Sequence, residues 1–174
     1  MIIKSNFVKS SFEPAVIGKK QAAKKKQRYL YFAYGSNLNI KQMAKRCPKA
    51  KALGIANLSD YQLVFNGVAD VIPREGAMVP GAVWEITEGC LRELDHYEGY
   101  PTLYGREYVE VTIESSGERV QAIVYRMNSE HYRTRRELPY ISYYHAILEG
   151  YDDFGLAKHH LDKAIDLTRK EMKK

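Results

Sequence analysis

Between Tyr29 and Met127 the chain is a series of short strand-type runs cut by turn residues, and beyond Pro139 the spacing becomes helical. Tyr29–Tyr34 is an apolar, aromatic run that predicts a buried strand. Ala52–Leu58 and Tyr61–Phe65 follow, split by the turn pair Ser59-Asp60; then come Val68–Ile72, a Pro73–Met78 loop and Val79–Ile86. Tyr104–Glu114 alternates, with Val109, Val111 and Ile113 opposite Glu110 and Thr112, and Ser115–Glu118 turns it back into Arg119–Met127. Helical spacing is expected over Leu38–Arg46, capped by Asn37 or Asn39. It is also expected over Glu88–Tyr97, capped by Thr87, with Leu91 and Leu94 on one face and Gly99 and Pro101 as stop signals. Ile141–Phe154 places apolar residues at 141, 144, 147 and 148 before Gly155, and Ala157–Met172 turns Leu161, Ala164, Ile165 and Leu167 inward. A strand-rich middle with helices at the end predicts an α+β fold.

Charge is divided unevenly along the chain. The formal net charge is +6, from 27 Lys+Arg and 21 Asp+Glu. Residues 1–28 hold eight of the basic side chains and one acid, Glu13, so residues 29–174 are close to neutral. The predicted organisation is a basic leader, 1–28, ahead of a domain spanning 29–174. The leader lacks the interleaved aromatics that stack bases, so nucleic acid is not an expected partner. Two cysteines, Cys47 and Cys90, are too few for a disulfide framework or a four-thiolate zinc site and suit a reduced, cytoplasmic setting. His159 and His160, adjacent on a helix, are expected to point to different sides and make a poor metal clamp. No window has the ~18 apolar residues of a membrane span.

Two segments carry candidate chemistry. Tyr31-Phe32-Ala33-Tyr34-Gly35-Ser36-Asn37-Leu38 is a strand, a tight glycine turn and a helix start. That geometry aims backbone N–H groups at one spot and suits an anion such as a carboxylate. It matches neither the phosphate loop nor the dinucleotide fingerprint. The second segment is Leu94-Asp95-His96-Tyr97-Glu98-Gly99-Tyr100-Pro101. Glu98 sits at a helix C-terminus, where the dipole disfavours an ionised carboxylate, and Tyr97 and Tyr100 are placed to desolvate it. A carboxyl raised toward neutrality is what a general acid/base requires. Asp95 is a candidate ion-pair partner for Arg92 or Arg106, and Arg133, Arg135 and Arg136 read as a solvated basic run.

Together these segments resemble the γ-glutamylcyclotransferase family. Tyr29 to Leu38 looks like its opening signature, and Leu94-Asp95-x-x-Glu98-Gly99 is similar to its second motif. Val79-Pro80-Gly81-Ala82-Val83-Trp84, Tyr108-Val109-x-Val111 and Val124-Tyr125 resemble its strands. Pro139-x-x-x-Tyr143, Ile147-x-x-Gly150 and Phe154-Gly155-Leu156 resemble its closing helical segment. Ala157-Lys158 stands where the family often has proline, and the leader has no counterpart. The resemblance implies a small mixed β-barrel with surrounding helices. It implies a metal-free, cofactor-free reaction in which the substrate's α-amine attacks its own γ-carbonyl, releasing 5-oxoproline and an amine. Glu98 would be the acid/base, and Tyr31, Phe32, Ala33, Tyr34, Gly35, Ser36, Asn37, Leu38, Tyr125 and Tyr143 the substrate-binding set. The Gly35–Leu38 N–H groups would anchor the α-carboxylate, and the turn or a tyrosine hydroxyl would bind the oxyanion. Such a site requires Glu98 to face the Gly35-Ser36-Asn37 turn across a cavity, no farther from it than the length of a small ligand.

The YGSN turn is unlike the YGTL form of the γ-glutamylamine enzymes and favours γ-glutamyl amino acids, with glutathione left open as a substrate. A γ-glutamyl amine or a γ-glutamyl group on a larger carrier is the alternative substrate. A non-catalytic binding protein that uses the basic leader is the alternative class. The expected partner is a small γ-glutamyl compound without a membrane, and a homodimer stays open.

Overall fold

The computed structural model describes residues 27–128 and 135–173. Five strands close into a mixed barrel in the order β1-β3-β2-β4-β5. They are β1 (Arg28–Ala33), β2 (Lys51–Phe65), β3 (Ala69–Thr87), β4 (Tyr104–Ile113) and β5 (Arg119–Met127). All neighbours are antiparallel except β1 and β5, whose parallel contact at Tyr31 and Ile123 closes the cylinder. A 3-10 turn, Ser36–Leu38, leads into α1 (Ile40–Arg46), and α2 (Glu88–Glu98), α3 (Ile141–Phe154) and α4 (His159–Glu171) surround the barrel. This is the α+β architecture the pattern predicts. The leader proposed for residues 1–28 lies outside the described residues, apart from Gln27 and Arg28. Arg28 belongs to the barrel: it opens β1 opposite Thr87 and pairs with Glu85 at 3.5 Å.

The largest departure from the sequence expectation is in the middle strands. Four predicted short strands are two long ones, β2 and β3, paired almost throughout. The expected turn Ser59-Asp60 and the expected Pro73–Met78 loop lie opposite each other. Ser59 pairs with Met78 and Tyr61 with Pro73, so residues 74–77 bulge out of the ladder. Asp60, at φ 60, accepts a hydrogen bond from the Gly76 N–H at 2.8 Å. Both turn signals are therefore real, but matched irregularities bend a hairpin without ending its strands.

The first two helices start at capping side chains. Asn39, not Asn37, caps α1 by accepting from the Gln42 N–H, and Thr87 caps α2 by accepting from the Cys90 N–H at 3.1 Å. In α3 the buried face is Ala146, Ile147, Gly150 and Tyr151, whereas Ile141 is 77% exposed. In α4, shorter than predicted, Thr168 takes the buried place expected of Leu167. Thr168 reaches back to the Ala164 carbonyl at 2.8 Å and receives the Phe65 N–H at 3.3 Å, which makes a polar side chain tolerable there. The His159 and His160 rings, at the start of α4, lie 4.0 Å apart and tilted by 34° instead of diverging. Arg133 lies outside the described residues. Arg136, expected to be solvated, is a structural clamp: it donates to Asn66 at 2.7 Å and pairs with Glu171. No helix among the described residues is long and apolar enough to cross a membrane.

Candidate active site

The strand-turn-helix segment and the end of α2 meet where β1 and β5 finish and β4 begins. The cavity there is lined by Tyr31, Tyr34, Gly35, Ser36, Asn37, Ala69, Glu98, Tyr104, Tyr125 and Tyr143. It encloses about 280 Å³, part of it open to solvent.

The turn is held from outside by α3. Asn39 donates to the Glu149 carboxylate at 2.8 Å and to the Ala146 carbonyl at 3.3 Å, and the Ile40 N–H donates to Asp153 at 2.9 Å. Gly150 makes the approach close: a Cβ there would sit 2.5 Å from Leu38 Cβ and 2.7 Å from Asn39 N. Gly35 faces inward, where a Cβ would meet Ala69 Cβ at 3.3 Å and the Tyr143 hydroxyl at 3.5 Å. The Leu38 and Asn39 N–H groups are used inside the turn, donating to the Gly35 and Ser36 carbonyls at 3.0 and 3.1 Å.

Glu98 is the last residue of α2, and Gly99 stops the helix in the left-handed region at φ 65. Asn37 donates to Glu98 Oε1 at 2.8 Å and to the Tyr31 hydroxyl at 2.9 Å. Burial pushes the Glu98 carboxyl up to about 7, against the lowering effects of the Arg46 charge and the Asn37 hydrogen bond. Beyond the expected neighbours Tyr97 and Tyr100, the cavity wall sets Tyr31, Tyr34, Tyr104, Tyr125 and Tyr143 around the carboxyl. Tyr97 and Tyr100 are themselves 41% and 38% exposed and carry Arg46 and Arg106 on their rings.

Among the predicted binding residues, Tyr31, Tyr34, Gly35, Ser36, Asn37, Tyr125 and Tyr143 all line the cavity. Phe32, Ala33 and Leu38 do not; their side chains are fully buried in the core. Phe32 follows from strand alternation, which turns it away from the face that Tyr31 presents to the cavity. Two lining residues, Ala69 and Tyr104, escaped the sequence reading because each begins a strand and carries no motif. The tyrosine hydroxyls have distinct partners. Tyr34 donates to the Tyr125 carbonyl and Tyr125 to Asp95 Oδ1, both at 2.7 Å, and Tyr104 donates to the Ala69 carbonyl. Tyr143 accepts from the Ala69 N–H at 3.2 Å. Asp95 also meets Arg106 at 3.4 Å, one of its two expected partners, while Arg92 pairs with Glu88.

Residues 31–145 match the family model "Gamma-glutamyl cyclotransferase, AIG2-like". The Bos taurus gamma-glutamylcyclotransferase is 31% identical over 117 residues, 59% of this chain and 61% of that protein. The chain thus matches less than two thirds of that relative's length. The Mus musculus gamma-glutamylcyclotransferase is 28% identical over 167 residues, 87% of this chain and 85% of its own. A solved gamma-glutamyl cyclotransferase structure superposes with a TM-score of 0.69 at 27% identity, covering 79% of this chain and 86% of that one. The barrel, the turn and the family match over most of the described barrel agree: the chain belongs to the gamma-glutamyl cyclotransferase, AIG2-like family.

Proposed function

We propose that the protein is a γ-glutamylcyclotransferase that converts the γ-glutamyl group of a γ-glutamyl amino acid, or a related compound, to 5-oxoproline and releases the amine. The observation that carries this reading is Glu98, poised near 7, on the wall of a small cavity it shares with the Gly35-Ser36-Asn37 turn. The turn's own bonds occupy Leu38 and Asn39 N–H, so the α-carboxylate anchor narrows to the N–H groups of Gly35, Ser36 and Asn37. The folded substrate then presents its α-amine to its γ-carbonyl, and proximity supplies much of the rate. Glu98 takes a proton from the α-ammonium, the amine attacks the carbonyl carbon, and the same carboxyl returns a proton to the leaving nitrogen. Protons on Tyr34, Tyr104 and Tyr125 are committed to protein acceptors. Tyr143 accepts from Ala69 and Tyr31 from Asn37, so both hydroxyls keep a proton, and Tyr143, whose hydroxyl lies against Gly35 of the turn, is our candidate for the oxyanion. Tyr143→Phe is expected to lower kcat by about 100-fold with little change in KM; an unchanged kcat removes Tyr143 from that role.

The test is release of 5-oxoproline from a panel of γ-glutamyl amino acids, γ-glutamyl amines and glutathione. Turnover of a γ-glutamyl amino acid supports the reading, and inertness across the panel overturns it. The pH profile is a second check. The base must be ionised to accept the proton, so kcat/KM rises about tenfold per pH unit up to about 7 and then levels. An acid limb near 4.5, the ordinary value for a glutamate, would mean that Glu98 is not the group titrating.

A further inference from the structure

Arg46 is the last residue of α1 and does not line the cavity, yet its guanidinium is tied to the base through one intermediary. It donates to Asn37 Oδ1 at 2.8 Å and to Gln42 Oε1 at 2.7 Å, and it lies over the Tyr97 ring at 3.5 Å. An amide has one acceptor end and one donor end. With Arg46 on the oxygen, the Asn37 nitrogen must point the other way, to Glu98 Oε1 and the Tyr31 hydroxyl. Arg46 thereby decides which end of Asn37 the base meets. The ring of Tyr97, whose hydroxyl bonds Ser36 Oγ at 2.9 Å, supports the guanidinium from below and links it to the substrate turn.

We propose that Arg46 is a positioning residue for Glu98, holding the Asn37 amide in its donor orientation and supplying the positive charge that favours the Glu98 carboxylate. The role rests on the cyclotransferase reading for its consequence in catalysis. Its physical basis is the surroundings of Glu98. The groups facing the carboxyl from the other elements are phenols: Tyr31 from β1, Tyr34 just after it, Tyr104 from β4, Tyr125 from β5 and Tyr143 from α3. Burial pushes each of them up, so all stay neutral. Cys47, next to Arg46, is pushed up to about 12 by burial and is neutral as well. Asp95 on α2 is engaged by Tyr125 and Arg106. Among the described residues, Arg46 is therefore the cation that offsets the burial of Glu98.

A carbon-13 titration of the Glu98 carboxyl in the full chain tests this without substrate, the resonance being assigned by its loss in Glu98→Gln. Arg46→Met is expected to move the midpoint upward by about one pH unit. At pH 7 the ionised fraction then falls from about one half to about one tenth, and kcat/KM falls about fivefold, returning toward the parent value at pH 9. Arg46→Lys retains the charge and is expected to keep the midpoint close to the parent's. Arg46→Gln keeps a donor for Asn37 but no charge, and it reads the same upward move should Arg46→Met fold poorly. A midpoint unmoved in folded Arg46→Met or Arg46→Gln overturns the proposal. If the parent releases no 5-oxoproline, the cyclotransferase reading falls, while the titration still decides what Arg46 does to Glu98.

Discussion

Glu98→Gln is expected to reduce 5-oxoproline release by 100-fold or more while leaving the protein folded. Glutamine keeps an oxygen for the Asn37 donor, so the local geometry survives, but no group remains that can take and return a proton. General acid/base catalysis is commonly worth about 10²- to 10⁴-fold, and the loss belongs in kcat. Undiminished turnover by the variant would remove Glu98 from the mechanism. The same substitution has a stability signature of opposite sign. The folded-state value, about 7, is raised above the ordinary 4.5, so the fold favours the protonated acid. That favourable contribution is complete below 4.5 and is lost as pH rises through about 7. Parent and variant should thus be equally stable at pH 4. Above pH 8 the variant should be the more stable, by at most ~3 kcal/mol. Denaturant titration at the two pH values measures this, and parallel stabilities across the range would show that the carboxyl is not buried as described. A residue that costs stability where it is ionised is characteristic of a functional site.

Gly150→Ala should be destabilising, against the usual sign for such a change. In an exposed helix interior, alanine is worth about 1 kcal/mol more than glycine. Here the added methyl would lie 2.7 Å from both Asn39 N and Leu38 C, backbone atoms that cannot swing aside. Helix α3 must move off the turn, at a cost of about 1–3 kcal/mol before the helix gain is counted. The displaced turn carries Asn37, so kcat/KM should fall about tenfold as well. A urea melt reads the sign directly, and a stabilised variant would mean that α3 and the turn are not in contact at Gly150.

Much of this site was legible in the chain. The strand before Gly35, the Thr87 cap, the Gly99 stop and Glu98 at a helix end are local features, set by dihedral preference and capping within a few residues. Strand alternation also bore on the site, since it separates Tyr31 from Phe32. The length of β2 and β3 was hidden because turn residues at Asp60 and Gly76 predict an end, whereas a paired bulge lets a hairpin continue.

Sequence by itself determined the candidate residues: a glycine turn after a strand and a carboxyl at a helix terminus, both recognisable from short-range pattern and family resemblance. Only the tertiary structure decided that they share one cavity and that tyrosines from β1, β4, β5 and α3 line it with the acid. It also decided that Arg46, nine positions after Asn37, returns to hold that side chain. The physical reason is range. Capping and turn chemistry act between neighbours in sequence, but burial and the field of a charge depend on which surfaces pack together, and barrel closure between β1 and β5 sets that.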